Sequence, residues 1–197
     1  IYAVLYATGR KANTANIGLE HTDIATNERG AIVVNDTCES SVPGVYAVGD
    51  VNGGPQFTYI SLDDFRIVFG ALTGNSQYTL KDRKNIPYTT FLTPPLSRVG
   101  LTEEDAINQG YTVKTKEMLV ATMPRAHVND YLKGAFKIVV DADNDLILGA
   151  TLYSQGAEEL INLIKMAMDN NIPYTYFKNQ IFTHPTMAEN LNDLCNF

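Results

Sequence analysis

The sequence predicts a mixed fold of the α/β (α+β) class, and three patterns lead to this prediction. An apolar run from Ile1 that closes at Gly9 is typical of a strand buried on both faces of a sheet. Two segments with helical apolar spacing, beginning near Thr58 and at Gly156, alternate with strand candidates. Late in the chain, two strand candidates flank a turn at residues 143–145 and predict an antiparallel hairpin.

Composition narrows the class of protein. The 197 residues suffice for one or two domains, and 45% hydrophobic with 19% charged residues is ordinary for a soluble globular protein. A net charge of −7 argues against nucleic acid as a partner, and no apolar run approaches the roughly 20 residues that span a bilayer. Cys38 and Cys195 lie far apart without metal-ligand spacing, so we expect no metal site and a cytoplasmic location. Because the chain begins inside an apolar run, we interpret it as a piece of a longer protein.

The first half contains one candidate ligand site. After a turn at residues 27–30 and a short strand at 31–34, a second buried strand spans residues 45–51 and reaches Gly49-Asp50. Glycine at a strand end lets a ligand approach the backbone, and a carboxylate there can accept hydrogen bonds from sugar or ribityl hydroxyl groups. Gly-Asp alone also describes a simple turn, and this alternative stays open on these residues.

The second half begins with a polar run, residues 76–86, which we interpret as a solvated linker. Thr102 is expected to cap a helix that ends at Gly110. We interpret residues 124–127 as a loop, with His127 and His21 structural or exposed. The remaining expected elements are strands at 88–92, 112–119, 135–140 and 146–152, a helix at 156–170, a partly helical segment at 174–182 and a closing helix that begins at Pro185.

The segment from His184 to Glu189 is a candidate acid/base site. Pro185 suits the first position of a helix, which would hold His184 at the start of that helix and Glu189 about one turn in. A carboxylate bonded to one ring nitrogen fixes the imidazole tautomer and raises the proton affinity of the other nitrogen, as a general acid/base requires. The alternative is a helix start with a surface histidine and a solvated glutamate.

Three separated motifs, in the expected order, resemble the pyridine nucleotide-disulfide oxidoreductases, the family of glutathione reductase and dihydrolipoamide dehydrogenase. They are Thr8-Gly9-Arg10, the segment 41–50 that ends in Gly49-Asp50, and His184-Pro185-Thr186 followed by Glu189. One small departure is Ala12-Asn13, where the family usually has Pro-Asn. The resemblance implies that residues 1–79 are the remainder of an FAD-binding domain. It also implies that residues 80–197 form a dimerisation domain, with an antiparallel sheet flanked by helices.

The resemblance implies two cofactors, FAD and NAD(P)H, for the full-length protein. Asp50 matches the residue that binds the ribityl-phosphate region of the flavin, and the helix near Thr58 would direct its positive end at the flavin ring. The residues expected to contact the cofactor are Gly9, Arg10, Gly49, Asp50, Phe57 and Thr58.

The resemblance further implies a homodimer in which His184 is the acid/base for the redox thiol of the partner subunit and Glu189 orients it. It implies a cis peptide bond between His184 and Pro185 as well, and a disulfide or another small molecule as substrate. The chain itself has no glycine fingerprint for a dinucleotide and no paired redox cysteines. We therefore expect this segment alone to be inactive, and a non-catalytic dimerisation module without bound flavin is the alternative.

Within the family, the ending around His184 most resembles bacterial reductases that resist reactive chlorine species and hypothiocyanous acid. Dihydrolipoamide dehydrogenase is the alternative, whereas mercuric reductase usually has tyrosine at the position of His184. For the sequence that precedes Ile1, we expect two glycine fingerprints and a Cys-x-x-x-x-Cys motif.

Overall fold

A computed structural model describes residues 2–197 of the chain, which divide into two compact units, one ending at Arg83 and the other spanning Lys84–Phe197. The domain boundary expected between residues 79 and 80 stays a prediction. No helix among the described residues is long and apolar enough to cross a membrane.

The first unit contains one α-helix, α1, which spans Thr58–Thr73 as predicted and ends at Gly74 in the left-handed conformation with a φ of 68°. The face that the helix buries is not its most apolar one. Phe65 and Phe69 are exposed, whereas the buried residues include Asp64. This helix therefore packs a carboxylate inward, which a count of apolar spacings does not anticipate.

The rest of the first unit consists of turns and isolated bridges, with 3-10 turns at Leu19–His21, Gly49–Asn52 and Leu80–Asp82. The strands predicted at residues 31–34 and 45–51 are wrong, because only single bridges form there, such as Thr26 with Ile32 and Glu39 with Tyr46. The strand predicted from Ile1 is also wrong over its described part, residues 2–7, which are exposed and irregular. A strand needs a hydrogen-bonded neighbour, and no other strand of the described residues lies beside this segment.

The second unit is built on a five-stranded antiparallel sheet in the order β1-β2-β5-β4-β3. Its strands are β1 (Tyr88–Thr90), β2 (Leu96–Gly100), β3 (Val113–Leu119), β4 (Ala135–Asp141) and β5 (Ile147–Tyr153). The predicted hairpin is β4 with β5, and the mixed fold class is confirmed. Strand β2 was not predicted, because a five-residue segment that contains Ser97 and Arg98 lacks an apolar pattern, although Ser97 is fully buried.

Five helices accompany the sheet: α2 (Glu103–Asn108), α3 (Pro124–Val128), α4 (Ala157–Asp169), α5 (Tyr174–Asn179) and α6 (Asn190–Leu194). As predicted, Thr102 caps α2, with its hydroxyl oxygen accepting a hydrogen bond from the Asp105 N–H. The loop predicted at 124–127 is wrong, because Pro124 occupies the first turn of α3, where its missing N–H costs nothing. The closing helix begins at Asn190 rather than at Pro185, so Glu189 precedes the helix.

One hydrophobic core joins the sheet, α4, α5 and α6 within the second unit. Phe136 and Leu152 on the sheet and Ile164 on α4 are fully buried in it. Leu191, Leu194 and Cys195 of the chain end are also fully buried, so the segment that follows His184 is anchored by the same core.

Candidate functional site

His184 and Glu189 form a hydrogen-bonded pair in the second unit. Nδ1 of His184 lies 2.7 Å from Oε2 of Glu189. The imidazole side chain is 68% exposed and the carboxylate only 18%. The hydrogen bond from His184 is the largest cause that holds the pKa of Glu189 below its ordinary value; burial opposes the shift, and the N–H of Thr186 adds to it. A carboxylate that stays ionised can fix the tautomer of the imidazole beside it.

Thr186 folds the segment between the two residues. Its hydroxyl donates to the Thr183 carbonyl over 2.8 Å and accepts from the Glu189 N–H over 3.2 Å, while the Thr186 N–H donates to Glu189 Oε1 over 3.0 Å. These side-chain bonds compete with helix formation, which explains why α6 begins later than predicted. The peptide bond between His184 and Pro185 is cis, as the family resemblance implies. Each oxygen of Glu189 accepts one hydrogen bond, Oε1 from the Thr186 N–H and Oε2 from the imidazole of His184.

Asn192 of α6 is a positioning residue that the sequence did not indicate. Its amide nitrogen lies 2.6 Å from the carbonyl oxygen of Phe177, 2.9 Å from that of Gln180 and 3.3 Å from that of Lys178. These carbonyls lie at the end of α5 and in the chain that leads to His184. Asn192 thereby ties the segment that precedes His184 to α6. This contact is visible only in the folded chain.

The two cysteines of the chain do not supply a reactive thiol. Burial raises the pKa of Cys38 to about 11, and the nearby Asp64 carboxylate adds to the shift. Burial also raises the pKa of Cys195 to about 12. Because the thiolate is the reactive form, both side chains are inert packing residues at neutral pH.

In the first unit, the predicted cofactor residues Gly49 and Asp50 lie in the 3-10 turn Gly49–Asn52. Gly49 has a φ of 73°, and a Cβ atom built on it would lie 2.6 Å from the Ser61 hydroxyl oxygen, so a side chain there would collide with α1. The Asp50 carboxylate lies 3.9 Å from the Arg10 guanidinium, and both side chains are largely exposed. The structure thus brings Arg10 and Asp50 together.

The other predicted cofactor residues occupy two places in the first unit. Gly9 has a φ of 102° in the exposed segment near the start of the chain. Phe57 and Thr58 begin α1, whose N-terminus has no side-chain cap and no acidic residue in its first turn. The positive end of the helix dipole is therefore not offset by its own side chains, which fits an anionic group. Within residues 2–197, no cluster of three or more potential metal ligands occurs.

The family is established by comparison with known proteins. Residues 86–195 match the pyridine nucleotide-disulphide oxidoreductase dimerisation domain, and residues 2–64 match the pyridine nucleotide-disulphide oxidoreductase family. The chain therefore belongs to the pyridine nucleotide-disulphide oxidoreductases, as its motifs predict. The first match contains His184 and Glu189, and the second contains the predicted cofactor residues.

Individual relatives include three named enzymes. The chain is 48% identical over 192 residues to the probable pyridine nucleotide-disulfide oxidoreductase RclA of Escherichia coli, a match that covers 98% of this chain and 44% of the relative. It is 35% identical to a mercuric reductase of Staphylococcus aureus, covering 95% and 34% of the two chains. It is 31% identical to a dihydrolipoyl dehydrogenase of Mycobacterium tuberculosis, covering 96% and 41%.

A solved structure supports the same family relationship. The HOCl-induced flavoprotein disulfide reductase RclA from Escherichia coli superposes with a TM-score of 0.93 at 48% identity, covering 96% of this chain and 43% of that one. The chain thus spans less than half the length of the relatives that it matches.

Proposed function

We propose that the chain is the C-terminal part of a homodimeric, FAD-dependent and NAD(P)H-using disulfide reductase. The observation that carries this proposal is the 2.7 Å hydrogen bond between His184 Nδ1 and Glu189 Oε2, which uses one ring nitrogen of an exposed imidazole. Membership of the family supports the reaction class. The RclA relative, whose structure is titled a flavoprotein disulfide reductase, supports the same choice of substrate class.

In this proposal, His184 moves a proton at Nε2. The imidazole accepts the proton of a thiol in the partner subunit, and the resulting thiolate attacks the disulfide. The imidazolium then donates this proton to the thiolate that leaves the disulfide. Glu189 stabilises the imidazolium that forms in between and keeps Nδ1 protonated. Because the imidazole is largely exposed, solvent screens this bond, and it contributes about 1 kcal/mol or less to the free energy of unfolding.

We further propose that the first unit contributes to the FAD site. Asp50 would accept hydrogen bonds from ribityl hydroxyl groups, and Gly9, Arg10, Gly49, Phe57 and Thr58 would line the site. When bound, the flavin supplies the electron transfer between the nicotinamide and the thiol pair. The uncapped N-terminus of α1 fits this role, since it would favour negative charge on a reduced flavin. The low cysteine content fits a reducing cytoplasm as the place of action.

The test uses the full-length protein. We expect the purified enzyme to absorb at about 450 nm, as an oxidised flavin does. We also expect it to reduce a disulfide with NAD(P)H as the electron donor. His184→Gln should retain the flavin and lower the rate of disulfide reduction by about 10²- to 10⁴-fold, which is the usual loss when a general acid/base is removed. His127→Gln is the matched control, because this ring bonds the Ala121 carbonyl and should leave the rate unchanged. An unchanged rate in His184→Gln would refute the role of the pair.

Two alternatives are tested in the same way. For the 197-residue chain by itself, the alternative is a non-catalytic dimerisation module, which predicts a colourless dimer. A dihydrolipoamide dehydrogenase is favoured by the 31% identity to the mycobacterial enzyme, and it predicts faster turnover with lipoamide than with other disulfides.

A further inference from the structure

The first unit buries a network of hydrogen-bonded polar side chains that contacts the turn Gly49–Asn52. Asp64, in the middle of α1, is completely inaccessible to solvent. Its Oδ2 atom accepts hydrogen bonds from the Gly49 N–H over 2.7 Å and from the Asn52 amide over 2.9 Å. Its Oδ1 atom accepts from the guanidinium of Arg83. One carboxylate therefore joins the helix, the turn and a residue 19 positions later in the chain.

Arg83 is held on two sides. Its Nε atom lies 2.7 Å from Asp63 Oδ2, its other contact is Asp64, and its side chain is only 10% exposed. The sequence pattern placed this arginine in a solvated linker, which is wrong for this residue. Burying a carboxylate is costly unless it is paired and fully hydrogen-bonded, and Arg83 meets that requirement.

Asn52 extends the network along the turn. While its amide nitrogen donates to Asp64, its Oδ1 atom accepts from the Gly54 N–H over 3.0 Å. The backbone N–H of Gly49 and the side chain of Asn52 thus converge on the same oxygen, one from each end of the turn. Between these two fixed residues lies Asp50, whose own side chain is exposed.

From these contacts we propose that Asp64 is a positioning residue for a flavin site, which sets the backbone of the turn Gly49–Asn52 so that Asp50 faces the ribityl chain. The inference rests on the function proposed above, because it assumes that Asp50 contacts FAD. Asp64 itself does not touch the cofactor. Arg83 supplies a counter-charge at Oδ1 of Asp64, which leaves Oδ2 to accept hydrogen bonds from the turn.

The molecule provides a matched control for this role. Asp63 is the neighbouring residue, carries the same charge and pairs with the same guanidinium, but it has no contact with the turn in the hydrogen bonds of the described residues. Asp63→Asn and Asp64→Asn therefore make the same chemical change to the same ion-pair network. Only the second replaces with an NH2 donor one of the two oxygens that accept from Gly49, Asn52 and Arg83.

The first measurement is the dissociation constant of FAD from the full-length apoprotein, followed by flavin fluorescence. Asp64→Asn should weaken FAD binding about tenfold or more, the effect of losing a hydrogen bond to a charged acceptor, and should alter the flavin absorbance spectrum. Asp63→Asn should change the constant by less than about twofold, as expected for a change outside the turn. Asn52→Ala, which leaves the buried ion pair intact, should weaken FAD binding by an intermediate factor.

The second measurement is native-state hydrogen exchange of the Gly49 amide in the full-length apoprotein, which requires no bound flavin. Exchange should accelerate about tenfold or more in Asp64→Asn and stay unchanged in Asp63→Asn. Equal effects of the two variants on both measurements would overturn the proposal, since the network would then be only structural. If the wild-type protein binds no FAD but the exchange result holds, the proposed function fails and the positioning of the turn stands.

Discussion

The two units of the chain differ in what holds them together. The second unit has a five-stranded sheet and a continuous hydrophobic core, in which Phe136, Leu152 and Ile164 are fully buried. The first unit has one long helix, isolated bridges and few large buried apolar side chains. Large apolar residues are exposed in both units, such as Leu5 in the first and Phe91 and Ile181 in the second. Its most buried polar group, Asp64, organises a turn through hydrogen bonds.

The difference lies in how each unit holds its candidate site. The core of the second unit anchors the segment that follows His184. The first unit holds the turn Gly49–Asn52 by polar contacts, and the apolar surface that both units expose is unfavourable in water. We expect that surface to be covered in the longer protein that we propose.

The largest expected effect is the loss of stability when an aromatic side chain is removed from the core of the second unit. Phe136→Ala in β4 should lower the free energy of unfolding by about 3–5 kcal/mol, because a fully buried aromatic side chain leaves a cavity. Phe69→Ala, the same change on the exposed face of α1, should stay within about 0.5 kcal/mol. Urea unfolding of the 197-residue chain measures both, and equal losses would contradict the contrast between the units.

A smaller effect is expected from the polar anchor of the second unit. Asn192→Ala removes the amide that donates to Phe177, Lys178 and Gln180 and should lower the free energy of unfolding by about 0.5–1.5 kcal/mol, the usual net contribution of such a hydrogen bond. Asn179→Ala is the control, because its amide makes a single exposed bond to the Thr175 carbonyl. Should the two variants unfold at the same urea concentration, Asn192 would not anchor the segment.

The smallest effect concerns the dependence of stability on pH. The pKa of Glu189 lies below its ordinary value of 4.5, chiefly because His184 bonds its carboxylate. A lowered folded-state pKa contributes stability that is present above the ordinary value and is lost as the pH falls through the folded-state value. Carbon NMR titration of Glu189 should show the low midpoint, and His184→Gln should move it upward. A midpoint that His184→Gln leaves in place would show that the bond does not set this pKa.

The sequence predicted those helices, caps and turns that depend on residues close together in the chain. The cap at Thr102, the hairpin of β4 and β5 and the helix α4 follow from capping chemistry, turn residues and apolar spacing. The same reasoning was wrong about three strands of the first unit, because apolar runs do not reveal whether a neighbouring strand is present to pair with them.

The contacts of the candidate sites also differ in how far they could be predicted from the sequence. The pairing of His184 with Glu189 joins residues five apart, so it could be expected from the sequence. The contacts of Asp64 with Arg83 and of Asn192 with Phe177 join residues 19 and 15 apart. No periodic pattern marks such polar contacts, and Arg83 in a charged run has the composition of a solvated segment. Residues that hold a site in place were therefore found only in the folded chain.

The most direct test of the central proposal is a mixed dimer of the full-length protein. One subunit carries His184→Ala, and the other lacks the redox cysteine pair that we expect before Ile1. If His184 serves the thiol of the partner subunit, the mixed dimer contains one intact site of two and should recover about half of the wild-type rate. A mixed dimer as inactive as either parent variant would contradict the proposal, because His184 would then act only on the thiol of its own subunit.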